Sequence, residues 1–97
     1  MAIPRKIILL KIAGKRNAID FHLDKHIPEL FDTTNRDRLR YWNREVSNLI
    51  SEMEELALRL PKNKAIRDEV GVYRQRLKSL IRLRLSLRLS QLGETSL

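Results

Sequence analysis

Apolar residues recur through the middle of the chain at a helical interval. Leu39, Trp42, Val46, Leu49, Met53, Leu56 and Leu60 follow one another at alternating steps of three and four. This is a heptad seam on one helix face with no polar residue on it. Thr34 followed by Asp37 resembles a capping box at its start, with Asp where Glu or Gln is usual, and Pro61 closes the run. Beyond Lys62-Asn63-Lys64 a second seam passes through Ile66, Val70, Tyr73, Leu77, Leu80, Arg84 and Leu87. Two such helices joined by a short loop predict an antiparallel, coiled-coil-like hairpin over residues 35–60 and 64–91, with a tail at 93–97. Pairing Leu60 with Ile66 sets Trp42 opposite Arg84, whose stem is expected to pack on the indole. Gly71 lies inside the second helix at a cost of about 1 kcal/mol against Ala. It marks either a close helix contact or a tolerated weak spot.

The pattern is less decisive before residue 35. Residues 4–13 read as a short helix or a strand, with Gly14 as a stop. Asn17 reads as the cap of a further helix over 18–26 that shares Ala18, Ile19, Leu23 and Ile27 on one side. Pro28 ends it, Leu30 and Phe31 add an apolar knot, and residues 32–35 form a turn. Residues 1–32 are thus expected to cover the hairpin, through Ile7, Ile8, Leu10 and Ile12. The run IRLRLSLRLS at 81–90 alternates as a half-buried strand does, and a small sheet with residues 6–13 is the competing reading. Heptad phase and the richness in Leu and Arg favour helix. On a helix, Ile81, Leu85, Leu89 and Leu92 form a second apolar stripe beside the seam. It needs cover from the N-terminal segment, a second copy of the chain or a protein partner.

The expected architecture is therefore a single all-α domain, a small helical bundle of 97 residues built on a long hairpin. With 3 Gly, 3 Pro and no Cys, the chain favours long regular elements and has no disulfide framework. That fits a reducing compartment, and a cytoplasmic location is expected. The apolar run Ile7 to Leu10 is broken by Lys11, too short for a membrane span and a poor signal peptide.

Charge changes the picture most. The net charge is +8, and Arg outnumbers Lys 13 to 7, which suits bidentate contact with phosphate. In the hairpin, Arg36, Arg38, Arg40 and Arg44 at the start of the first helix lie beside Arg82, Arg84 and Arg88 at the end of the second. The N-terminal segment is expected to add Arg5, Lys6, Lys11, Lys15 and Arg16 to that cationic pole. Glu52, Glu54, Glu55, Asp68 and Glu69 gather at the loop end. Focused positive charge captures phosphate backbones. Tyr41 stands among these arginines as a stacker for an unpaired base. Aromatic residues make up only 5%, so no extended stacking platform is expected.

Catalytic signatures are missing. There is no Gly-rich phosphate loop, nucleophile elbow or HExxH motif. His22 and His26 are spaced as two ligands on one helix face, near Asp20 and Asp24, without an obvious third. They read as surface histidines, and no metal or other cofactor is expected. In general character the chain resembles small helical accessory subunits of ribonucleoprotein assemblies, a likeness of class that carries no residue across.

The sequence thus points to a non-enzymatic nucleic-acid-backbone-binding subunit or assembly factor with weak sequence selectivity. Its contacts would be Arg36, Arg38, Arg40, Tyr41, Arg44, Arg82, Arg88, Lys15 and Arg16. The rival is an adaptor or oligomerisation module, a homodimer included, that docks a protein through Ile81, Leu85, Leu89 and Leu92. A third reading attaches the amphipathic N-terminal segment to an anionic membrane.

Overall fold

A computed structural model describes residues 4–26 and 36–95, with side chains at 4–26 and 37–86. Ile27, Pro28, Leu30, Phe31 and Thr34, to which the sequence assigns a cap, a break and an apolar knot, lie outside the described residues. Three helices pack together and no strand occurs among the described residues. They are α1 (Arg5–Phe21), α2 (Arg36–Leu58) and α3 (Lys64–Thr95). A π-helical turn, His22–His26, continues α1.

The hairpin follows the seams. Val46, Met53 and Leu60 of α2 and Val70, Tyr73 and Leu77 of α3 are buried, with Trp42, Leu49, Leu56, Ile66 and Leu80 packed against them. Arg74 bonds Glu54 across the two helices, within a residue or two of the register that the seams imply. At 1.5 Å per residue, the 23-residue α2 is about 35 Å long and the 32-residue α3 about 48 Å. The turn between them is tied by Asn63. Its Nδ2 donates to the carbonyls of Ala57 and Leu60, at 3.0 and 3.2 Å. Its own carbonyl accepts the Arg67 N–H at 2.9 Å. One residue therefore satisfies orphan groups at the end of α2 and the start of α3.

The alternating run is helical, and residues 6–13 are too, so the small sheet does not form. The N-terminal cover also differs from its sequence reading. It is one helix, running without interruption through Gly14 and Asn17. Ile8, Ile12, Ile19 and Leu23 make a single buried stripe along it, and this tertiary burial overrides the weak propensity of the glycine. Ile7 and Leu10, expected to cover the hairpin, are instead 43% and 64% exposed. With α1 docked, α2 has two neighbours and buries a wider stripe than a hairpin seam requires. Ile50 and Ala57 join the buried set.

Neither mid-helix glycine answers to a steric need. A Cβ at Gly14 or Gly71 would meet nothing within 4 Å, so Gly71 is a tolerated weak spot and not a close helix contact. Gly14→Ala and Gly71→Ala should each stabilise the fold by roughly 0.5–1 kcal/mol. Urea titration of the double variant should show the two gains adding, since the sites share no contact.

Candidate nucleic-acid interface

Side-chain pairs fix the direction of α1. Lys15 bonds Glu52 at 2.5 Å, and His26 stacks on Trp42, so α1 runs antiparallel to α2. Arg16 grips Glu69 with both Nε and Nη2, Tyr73 donates its hydroxyl to Asp20 Oδ1 at 2.7 Å, and Arg76 bonds Asp24 at 2.7 Å. α1 is therefore parallel to α3, and its N-terminus lies at the hairpin loop. The Glu69 carboxylate raises the pKa of Arg16 through that hydrogen bond. Burial, then Asp20, raise that of Tyr73.

This orientation corrects the expected charge map. Lys15 and Arg16 do not join the arginines of the hairpin's open end. They sit toward the loop and are bonded to two of the acids expected to make that end acidic. Glu54 is bonded by Arg74. Arg5, Lys6, Lys11, Arg59, Lys62, Lys64 and Arg67 lie at or near the loop, so cations outnumber acids there too. The molecule is basic at both ends.

At the open end, Arg38, Arg40, Arg44 and Arg82 are exposed and Arg84 is half-buried. Arg40, Arg44 and Arg82 make no ion pair with any described residue. Stepping from the Arg74–Glu54 contact by four residues at a time sets Lys78 opposite Ile50 and Arg82 opposite Val46, two residues from Arg44. Lys78 is exposed and belongs with this group, although the sequence pattern alone did not single it out. The side chains of Arg36, Arg88, Leu89 and Leu92 lie outside the described residues. Ile81 is half-buried against the core, and Leu85 is 54% exposed.

The aromatic residues depart furthest from expectation. Phe21, His22, His26, Tyr41 and Trp42 form a continuous chain of ring contacts at this end. His26 lies parallel to Trp42 at 4.6 Å and 6°. His22 meets the same indole at 4.8 Å, Phe21 meets His26 edge-on at 4.6 Å, and Tyr41 meets Trp42 at 5.5 Å. His22 and His26 are half-buried in this stack and are not surface histidines. The π-helical turn that carries both is a wider coil of the kind often found at functional sites. Scarce as they are, these rings form one cluster, because the end of α1 with its π-helical turn meets the start of α2 there. Tyr41 and Phe21 form its open edge, at 61% and 53% exposure, and Arg38 and Arg44 flank Tyr41 one turn away on either side.

No group of three or more His, Cys, Asp or Glu able to hold a metal occurs among the described residues. Burial lowers the pKa of His22, with His26 adding to the shift and Glu45 opposing it, and its Nδ1 is buried without a hydrogen-bond partner among the described residues. A lowered imidazole pKa means that the folded state favours the neutral ring. Its stability contribution is complete above the unfolded value of about 6.5 and is lost as pH falls below it. The melting temperature should therefore drop between pH 7 and pH 5. His22→Phe, which keeps a ring on Trp42, should flatten that slope in calorimetry across pH.

Comparison with protein-family models, curated proteins and solved structures finds no match.

Proposed function

We propose that the protein is a non-enzymatic nucleic-acid-binding subunit that holds a strand by its backbone at the open end of the hairpin. The observation that carries this reading is the exposed Tyr41–Phe21 edge of the ring cluster beside Arg40, Arg44 and Arg82. Unpaired guanidiniums neutralise phosphates, and exposed rings stack on bases that a duplex keeps covered. The combination favours a single strand over a duplex and offers little that reads base edges, so selectivity for sequence is weak. The test is binding of a labelled single strand and a duplex across a salt series. Affinity should fall linearly on logarithmic axes with a slope of several released counterions, and the single strand should bind more tightly. Salt-independent binding, or none at low salt, rejects the reading.

A second reading has its own observation. Leu83 and Leu85 are 50% and 54% exposed on α3, beyond the stretch that α1 pairs with. They suit a protein partner or a second copy. Leu85→Asp would then abolish an association that salt leaves intact, without touching nucleic-acid binding.

A further inference from the structure

The hairpin's loop end bears a surface that the nucleic-acid reading does not use. The N-terminal half of α1 buries Ile8 and Ile12 and turns a second apolar face outward, with Ile7 43%, Leu9 41% and Leu10 64% exposed. Leu9 and Leu10 line an open cleft of about 480 Å³ with Arg5 and Lys6. Leu58, at the end of α2, is 59% exposed. The Lys15–Glu52 pair and the stack of His26 on Trp42 set the N-terminus of α1 at the hairpin turn, so this face and the turn form one end of the bundle. Around it stand Arg5, Lys6, Lys11, Arg59, Lys62, Lys64 and Arg67, none in an ion pair with a described residue. Three of the acids toward this end, Glu52, Glu54 and Glu69, are already bonded to Lys15, Arg74 and Arg16. Glu55 and Asp68 are exposed.

We propose that this end docks on an anionic lipid surface, with Ile7, Leu9 and Leu10 entering the interface and the surrounding cations lying on the headgroups. Large apolar side chains ringed by unpaired cations match a bilayer interface in both respects. Its headgroup layer supplies negative charge, and the acyl boundary takes the leucines. A phosphate backbone would use the cations and leave Leu10 in water. No described helix is long and apolar enough to cross a membrane, so the contact is peripheral. It lies at the opposite end from Tyr41, and it stands or falls separately from the nucleic-acid reading.

The test is co-sedimentation of the full chain with vesicles of phosphatidylcholine alone or mixed with phosphatidylglycerol. Binding should require the anionic lipid. The pair Ile7→Ser with Leu10→Ser should lower vesicle partitioning by about tenfold or more while leaving oligonucleotide binding and helical circular dichroism unchanged. Lys6→Glu with Lys11→Glu, which touches no core residue, should do the same. No binding to the mixed vesicles overturns the proposal. So does binding that ignores the serine pair, which would make it charge alone. Loss of oligonucleotide affinity in both pairs, without vesicle binding, would assign this end to nucleic acid instead.

Discussion

Replacing Ile19 with alanine should cost about 3 kcal/mol of folding stability, within the usual 2–5 kcal/mol for truncating a buried Ile. In a domain of this size that lowers the melting temperature by roughly 12–24 °C. Ile19 has no exposed surface, and it lies on α1, between the Lys15–Glu52 contact and the stack on Trp42. Its burial depends on α1 being one docked helix. Were α1 a loose pair of segments, broken at Gly14, truncation there would cost little. Leu10→Ala is the control on the same helix. At 64% exposure its change should remain within about 0.5 kcal/mol. Urea titration of both variants gives the comparison, and a loss below about 1 kcal/mol for Ile19→Ala would mean that α1 is not part of the cooperative core.

The second large effect concerns binding. A variant with Arg40→Ala, Arg44→Ala and Arg82→Ala should bind a single strand with a salt slope shallower by about two to three. Tyr41→Ala should leave the slope alone and weaken the single strand by about 1–3 kcal/mol, while the duplex barely changes. The two variants separate the charge from the stacking. All four side chains are exposed, so neither substitution should disturb the fold. If the triple variant keeps both affinity and slope, the open end of the hairpin is not where nucleic acid binds.

The parts of this fold that were legible in the sequence are the apolar seams that α2 and α3 present to each other. The α3 seam from Val70 to Leu77 is buried as its spacing implies, and Arg74 meets Glu54 close to the implied register. Ile50 and Ala57 were not legible, because their burial comes from a third helix whose direction the pattern did not state. Gly14 was misleading for a related reason. A helix stop is a local preference worth about 1 kcal/mol, and it loses to a buried stripe of four apolar residues.

The candidate site divides the same way. The hairpin arginines follow from antiparallel pairing alone. Lys15 and Arg16 needed the orientation of α1, which their pairing with Glu52 and Glu69 reveals. The ring cluster joins residues 21–26 to residues 41 and 42. Within each segment its rings are adjacent or four to five residues apart, yet nothing in their spacing announces that two helices meet there.

Asn63 has a consequence for the order of assembly. It closes α2 and opens α3 with hydrogen bonds that span at most six residues, so the hairpin is a local unit with little loop entropy to overcome. The side-chain contacts of α1 and its π-helical turn with the hairpin cross 16 to 53 residues. Formation should therefore run hairpin first and α1 second, and the reverse order should govern opening. In native-state hydrogen exchange, the amides of α1 should open together at a lower free energy than those around Val46 and Val70. Each such opening would uncover Ile50 and Ala57, which makes the lifetime of the docked α1 the interval between exposures of the core.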